Sequence, residues 1–193
     1  AGEIEQAVRC SKEAMEIVEI PEAQDMHTCH IIGTRLRCLS LAGQLAEARR
    51  LHDVAKPLAA RVPALQRQSY ISGIAYLAVL GNEPERAIPE TREAIDQLRG
   101  ANITRMLINP LHNIGDLLLR SGDLMHAADA FKEALRLSGL HGYTYQIHLN
   151  AGFLGYAMAR MGEVEEGAAM LAEARRGPAQ IQNEQFAQQQ LRL

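Results

Sequence analysis

The chain has no tryptophan, and aromatic residues form only 4% of its 193 residues. Its three cysteines, Cys10, Cys29 and Cys38, are an odd number and lack a C-x-x-C spacing, which argues against both a disulfide framework and a structural zinc site. We therefore expect free thiols in a reducing cytoplasm. No stretch approaches the ~20 apolar residues that span a bilayer, so we expect no membrane segment.

An excess of either charge is also missing. The chain has 20 Lys and Arg residues against 23 Asp and Glu residues, a net charge of -3. Phosphate-backbone binding requires concentrated positive charge, so direct nucleic-acid binding is not expected. The 47% hydrophobic content is typical of a folded protein. The abundant Ala, Leu, Glu and Arg residues lose little side-chain entropy in a helix, which favours helices over sheets.

A six-residue pattern recurs five times along the chain. A turn residue is followed two positions later by an apolar residue and five positions later by a small one, as in Gly43-Gln-Leu45-Ala-Glu-Ala48. The patterns start at Gly2, Gly43, Asn82, Gly122 and Gly162, and successive starts are 41, 39, 40 and 40 residues apart. Seven residues after each small residue stands Ala14, Ala55, Ala94, Ala134 or Ala174. This periodicity indicates a repeat architecture.

Each pattern opens an amphipathic helix. In the fourth, the apolar stripe at the 3.6-residue period comprises Leu124, Ala127, Ala128, Phe131, Ala134 and Leu135. Apolar helices are predicted upstream of the turns, over residues 31–42, 64–80, 110–120 and 145–161. Seven residues before a turn stand Ala75, Gly115 and Gly155, small residues that allow two helices to approach to about 8 Å. Leu36 departs from this rule.

The spacing Gly115-x2-Leu118-x3-Gly122-x-Leu124-x2-Ala127-x3-Phe131-x2-Ala134 resembles the tetratricopeptide repeat (TPR) almost position for position. The resemblance implies an all-α fold, a right-handed superhelical solenoid of antiparallel helix pairs (an α-α superhelix). It implies a single domain over residues 1–193. That domain is predicted to contain a half-unit at 1–20, helix pairs at about 27–60, 63–100, 103–140 and 143–177, and a half-unit at 179–193.

The units of about 40 residues are longer than the family's standard repeat. They resemble the units of multidomain bacterial signalling and regulatory proteins. We expect the chain to be a fragment of a longer protein, because it begins at Ala1 without a Met and ends inside a helical Gln-rich run.

Some positions depart from the family pattern. His52 and Thr91 stand where the family has a large aromatic residue. Pro57 and Pro89 are expected to kink or end their helices, because proline lacks the amide hydrogen that a helix interior requires.

Other positions predict helix ends. Asp123 is expected to cap the helix that begins at Leu124, and Pro84 suits a first turn. Gly100 and Gly177 are expected to end their helices in the left-handed conformation.

The residue patterns do not favour metal or catalytic chemistry. His27-x-Cys29-His30 with Cys38 suggests a metal site, but Cys29 would point away from the helix face that His27 and His30 share. Cys10 and Cys38 fall on apolar stripes and are interpreted as buried thiols. Neither a glycine-rich phosphate loop nor a serine nucleophile motif is present. We predict no metal, no cofactor and no enzymatic activity.

The resemblance places the first helix of each pair on the concave side of the solenoid, where TPR proteins bind peptides. The candidate partner-binding residues on this side are Arg37, Tyr76, Asn109, His112, Asn113, Asp116, Arg120, Tyr156 and Arg160. Aromatic, amide and charged side chains of this kind anchor interfaces. Arg120 and Arg160 are able to hold a carboxylate, and Asp116 a basic group. Alternatively, Asp116 and Arg120 form only a helix-surface ion pair.

We therefore predict a scaffold that binds a protein or peptide. The alternative is a regulatory sensor or self-association arm of a signalling protein such as a transcription regulator, cyclase or kinase. In that alternative, exposed terminal helices join two copies into a homodimer, because terminal caps normally cover such apolar surface.

Overall fold

The computed structural model describes residues 2–18 and 26–176 of the chain. These residues form helices and no strand, so the predicted all-α class is confirmed for them. The α-helices are α1 (Gly2–Val18), α2 (Met26–Leu41), α3 (Leu45–Ala59), α4 (Gln68–Leu80), α5 (Ile88–Gly100), α6 (Ile108–Ser121), α7 (Leu124–His141), α8 (Thr144–Arg160) and α9 (164–176). Two 3-10 helices cover Pro84–Arg86 and Thr104–Leu107. The predicted half-unit at 179–193 and the helix end at Gly177 lie outside the described residues.

The chain divides into two compact units, Ala1–Ile103 and Thr104–Leu193. Unit 1 contains α1 to α5, and unit 2 contains α6 to α9. Within these described segments, none of the helices combines the length and apolar character needed to cross a membrane.

Left-handed residues mark the turns between helices. Gly43, Asn82, Gly122 and Gly162, four of the predicted turn residues, have φ angles of 74°, 56°, 90° and 96°. Glycine adopts this conformation at little cost, and asparagine tolerates it better than most residues. Two more left-handed residues, which the sequence pattern did not indicate, are Asn102 (φ 56°) and Gly142 (φ 71°). The fifth predicted turn residue, Gly2, is instead the first residue of α1.

One predicted helix end is wrong and another is confirmed in part. The helical segment that starts at Pro84 is divided just before Pro89, which lies in the first turn of α5, where its missing amide hydrogen has no helical partner to lose. Gly100 is the last residue of α5, and the left-handed residue that follows is Asn102. The predictions for Pro57 and Asp123 are confirmed. α3 ends two residues after Pro57, and the Asp123 carboxylate accepts a hydrogen bond from the His126 amide at 3.4 Å.

The two positions without the family's large aromatic residue are filled in different ways. His52 stacks on the buried ring of Tyr70 with 5.9 Å between ring centroids, and its Nδ1 lies 2.9 Å from the Tyr70 hydroxyl. Thr91 is fully buried, and its hydroxyl donates to the Ala87 carbonyl at 2.7 Å. Neither polar side chain is therefore left without a partner in the core.

Small residues lie at the closest helix crossings, and Gly155 among them was predicted, whereas Gly33 and Gly73 were not. In unit 1, α2 crosses α4 at Gly33 and Gly73, and a Cβ atom built on Gly33 would lie 2.2 Å from the Ser69 carbonyl. In unit 2, a Cβ atom on Gly155 would lie 2.7 Å from the Gly167 carbonyl oxygen, where α8 crosses α9. Side chains of ordinary size would force these helices apart.

Candidate binding groove

A groove of about 690 Å³ opens between α6 and α8 in unit 2. Its apolar lining comes from Leu119, Leu149, Phe153 and Leu171, and its polar lining from Asp116, Arg120, His148, Tyr156 and Arg160. The volume falls within the range of about 300–1,000 Å³ that is typical of ligand sites, which are mostly apolar with a few fixed polar groups. The groove is therefore the candidate functional site.

Four of the nine predicted site residues line this groove: Asp116, Arg120, Tyr156 and Arg160. All four occupy the last two turns of α6 or α8, six or two residues before Gly122 or Gly162. Positions four residues apart lie on the same face of a helix, so each helix presents one pair of side chains to the groove.

The two arginines differ in their partners. Arg120 Nε donates to Asp116 Oδ1 at 2.9 Å, an ion pair between side chains that are 44% and 16% exposed. The guanidinium of Arg160 lies 5.8 Å from the centroid of the Tyr156 ring, and Tyr156 itself is half exposed. Among the described residues, no carboxylate pairs with Arg160. With histidine counted as neutral, the groove lining therefore carries one uncompensated positive charge.

A ring pair lies where α6 and α8 meet. The His112 and Phe153 rings meet edge to face, with 4.9 Å between centroids, and Phe153 also packs on Phe131 at 5.3 Å. His112 stands ten residues before Gly122, as Gly33 stands before Gly43. Phe153 stands nine residues before Gly162, as Gly73 stands before Asn82.

The side chains at these two repeat positions therefore differ in size between the two units, and so does the separation of the helices. Glycines stand at both positions in unit 1, where α2 and α4 pack closely, and rings stand at both positions in unit 2, where α6 and α8 make little contact. Two helices approach closely only where the side chains at the crossing are small. We therefore expect the His112–Phe153 ring pair to hold α6 and α8 apart and to maintain the space of the groove.

The hydrogen bonds of Asn150 fix the tautomer of His112. The buried Asn150 amide donates through Nδ2 to the Gln146 carbonyl at 2.8 Å. Its Oδ1 then faces His112 Nδ1 at 3.0 Å and must accept, so His112 donates from Nδ1. Burial lowers the pKa of His112 below the ordinary 6.5, although the Asn150 hydrogen bond and the Asp116 charge act in the opposite direction. Burial therefore favours the neutral form of His112.

Stability should fall on acidification because of His112. Its pKa is lower in the folded than in the unfolded chain, so the unfolded chain binds more protons once the pH drops below the ordinary 6.5. We expect the free energy of unfolding to decrease from roughly pH 7.5 to pH 5.5, by at most about 1.4 kcal/mol per pH unit for this group. Urea unfolding across this range should show a shallower pH dependence for His112→Phe. Equal slopes in the two proteins would contradict the assignment.

The remaining predicted residues lie outside the groove lining. Asn109 is exposed, and its Oδ1 accepts a hydrogen bond from Gln146 Nε2 at 3.1 Å, which links α6 to α8. Asn113 is only 9% exposed, so the structure corrects its assignment to a partner-facing surface. It follows His112 by one residue, and a helix turns about 100° at each residue, which directs the Asn113 side chain into the core.

Arg37 and Tyr76 belong to unit 1, where both are exposed, on α2 and α4 respectively. The nearby α2 and α4 residues Leu41 and Leu80 are 49% and 44% exposed. Neither Arg37 nor Tyr76 lines the groove of unit 2 or the pocket among α3, α4 and the 3-10 helix Pro84–Arg86. They remain candidate contacts on an exposed helix face.

Sequence reasoning missed the apolar side of the groove. Phe153 stands where the other three helix pairs have Thr34, Gly73 and Asn113, so its unusual size was a usable signal. Leu171 had no such signal, because it belongs to α9 and reaches the groove only through the crossing of α8 and α9. The predicted concave face included only first helices of each pair.

A smaller pocket of about 220 Å³ lies among α3, α4 and the 3-10 helix Pro84–Arg86 in unit 1. Four of its five charged side chains form ion pairs: Glu83 binds Arg49 and Arg86, each at 3.2 Å, and Lys56 binds Glu90, outside the lining, at 2.9 Å. A charged ligand would have to break these ion pairs. The pocket is for this reason a weaker candidate than the groove.

The suggested metal cluster near the start of α2 does not assemble. Cys29 is 1% exposed, whereas His27 is exposed and His30 Nδ1 lies 2.7 Å from the Ser69 hydroxyl. No group of three or more potential metal ligands comes together among the residues that the structure describes. Cys38 is buried as predicted, but Cys10 is exposed, which corrects its interpretation as a buried thiol.

No protein-family model matches this chain, and no curated protein matches it in sequence. Among solved structures, the chain is similar to the crystal structure of BtubC (BKLC) from P. vanneervenii, with a TM-score of 0.73. The sequences are 17% identical, and the match covers 94% of this chain and 75% of that one. At this identity the likeness supports the helical fold alone.

Proposed function

We propose that this chain is a TPR-like binding scaffold, a right-handed solenoid of antiparallel helix pairs that holds a protein or peptide and catalyses no reaction. The turn residues at Gly43, Asn82, Gly122 and Gly162, with the close helix crossings, support the repeat architecture. Cys10, Cys29 and Cys38 form no disulfide bond, which is consistent with a cytoplasmic location. The fold of BtubC is consistent with a helical array and adds nothing about the partner.

The observation that carries this proposal is the groove between α6 and α8. It combines an apolar lining with Tyr156 and Arg160, residue types that dominate the binding energy of protein interfaces. The groove is partly open to solvent and large enough for several side chains of an extended or helical peptide. An open groove of this kind suits a peptide better than the closed, polar cluster that catalysis requires.

Site-specific photocrosslinking tests the groove as a peptide site. Random peptides displayed on phage are selected against the full chain, and the enriched peptide is then synthesised with a biotin label. The photoreactive residue p-benzoylphenylalanine replaces Tyr156 in the groove or, as a matched control, Tyr145, which is 63% exposed on α8 and outside the groove lining. We expect crosslinking from position 156 and little from position 145. Equal labelling of both positions, or failure to enrich any peptide, would contradict the proposal.

The alternative, a self-association or sensor arm of a signalling protein, has one supporting observation in unit 1. An almost entirely apolar pocket of about 380 Å³ lies between α1 and α2, lined by residues such as Ala7, Ala14 and Ile31. Exposed apolar surface on a first helix is a common contact between copies of a repeat protein. Light scattering over a range of concentrations distinguishes such a dimer from a monomeric scaffold.

A further inference from the structure

We infer that the groove of unit 2 receives an acidic peptide, in which a side-chain carboxylate binds Arg160 and a neighbouring bulky apolar side chain packs against Phe153. This inference rests on the proposed peptide-binding function and specifies its ligand. It follows from three features of the groove: its charge balance, the position of Arg160 and the location of its apolar lining.

The charge balance favours an anionic group. Asp116 already accepts a hydrogen bond from Arg120 at 2.9 Å, so these two charges compensate each other. Arg160 has no carboxylate partner within the described part of the chain. A basic peptide would meet this uncompensated charge, whereas a carboxylate would neutralise it.

The position of Arg160 suits a carboxylate in particular. The Cζ atom of Arg160 lies over the ring of Tyr156, 5.8 Å from the ring centroid, and this contact uses none of the guanidinium hydrogen-bond donors. A planar guanidinium held in this way binds a carboxylate through two parallel hydrogen bonds. A nucleic acid is a poorer match, because a phosphate backbone is recognised by several positive charges in a row. The groove supplies a single uncompensated positive charge.

The apolar lining specifies the second ligand group. Phe153 and Leu149 lie on α8, the helix that carries Arg160, and Leu171 approaches from α9. Leu171 is 37% exposed, although it is a large aliphatic residue. A bulky apolar ligand side chain would cover these atoms while the adjacent carboxylate reaches the end of α8.

Three fluorescein-labelled peptides of about ten residues test the ligand class. They share the core Xaa-Leu-Phe-Xaa, flanked by Gly and Ser, and both Xaa residues are Glu, Gln or Lys. Binding to the full chain is measured by fluorescence anisotropy at low ionic strength. We expect the Glu peptide to bind about ten-fold more tightly than the Gln peptide, as for one charge-assisted hydrogen-bonded pair. The Lys peptide should bind more weakly still.

Charge reversal locates the effect. In Arg160→Glu the Glu peptide should lose about ten-fold or more in affinity, and the order of the Glu and Lys peptides should invert. Arg136→Glu is the matched control, because Arg136 is exposed on α7 of the same unit and does not line the groove. It changes the net charge equally and should leave the affinity of the Glu peptide unchanged. Circular dichroism verifies that both variants are folded.

The outcomes separate this inference from the proposed function. If all three peptides bind equally and each competes with crosslinking at position 156, the groove binds peptides but the acidic class is overturned. If no peptide binds and none is enriched by selection, both proposals fail. Crosslinks from position 156 to a second copy of the chain would overturn the peptide ligand in favour of self-association. The inference is supported if Arg160→Glu inverts the affinity order of the Glu and Lys peptides and Arg136→Glu does not.

Discussion

Gly33→Ala should lower the free energy of unfolding by about 3 kcal/mol, the upper part of the range for an overpacked core. The new Cβ atom would lie 2.2 Å from the carbonyl carbon and oxygen of Ser69 and 2.4 Å from the amide nitrogen of Tyr70. These are backbone atoms that cannot change rotamer, so α4 would have to move away from α2. Guanidinium unfolding followed by circular dichroism measures the loss.

Gly139→Ala is the matched control for this substitution. Gly139 lies inside α7, and a Cβ atom there would meet no other heavy atom within 4 Å. Alanine favours a helix interior over glycine by about 0.8–1.0 kcal/mol, so this variant should be more stable than the parent chain. If Gly33→Ala were stabilised to the same extent, the close crossing of α2 and α4 would be disproved.

The turns show how far the sequence determines the fold. Gly43, Asn82, Gly122 and Gly162 were predictable because each begins the same six-residue pattern. Asn102 and Gly142, which turn the chain between pairs, were not predicted because no shared pattern surrounds them, and Val62 stands at the corresponding place in the preceding pair. A backbone turn that different residues achieve in different repeats leaves little periodic signal.

The groove was predictable only in part. Helical spacing correctly related Asp116 to Arg120 and Tyr156 to Arg160, because residues four apart share a face. Spacing alone does not say how far α6 lies from α8. We expect that distance to depend on the contact between His112 and Phe153, which are far apart in the sequence and come together only through tertiary packing.

The same limitation explains the error at Asn113. Its amide side chain suggested a binding residue, but its burial depends on the rotation of α6 about its axis. An error of one residue in the register of a helix corresponds to a rotation of about 100°. A rotation of this size is enough to exchange a surface position for a core position. Composition and periodicity predict reliably where a helix forms. They predict less reliably which way each of its side chains faces.

His112→Ala/Phe153→Ala should close the groove and abolish binding of the Glu peptide. Removing both rings leaves small residues at the crossing of α6 and α8, as at Gly33 and Gly73 in unit 1, while alanine retains helix propensity. We expect α6 and α8 to approach each other, and the stability to fall by about 3 kcal/mol through the lost packing on Phe131. A crystal structure of the variant measures the helix separation, and fluorescence anisotropy measures the peptide affinity.

His112→Phe distinguishes the size of the ring from its chemistry. Phenylalanine keeps a ring against Phe153 but cannot donate to Asn150 Oδ1, a buried acceptor that would then lack this partner. If the ring pair holds α6 and α8 apart by its volume, His112→Phe should lose stability and retain the groove and the peptide affinity. A folded double alanine variant that still bound the Glu peptide with full affinity would refute this role. The separation of the two helices would then have to arise from their packing on α7, which both contact directly.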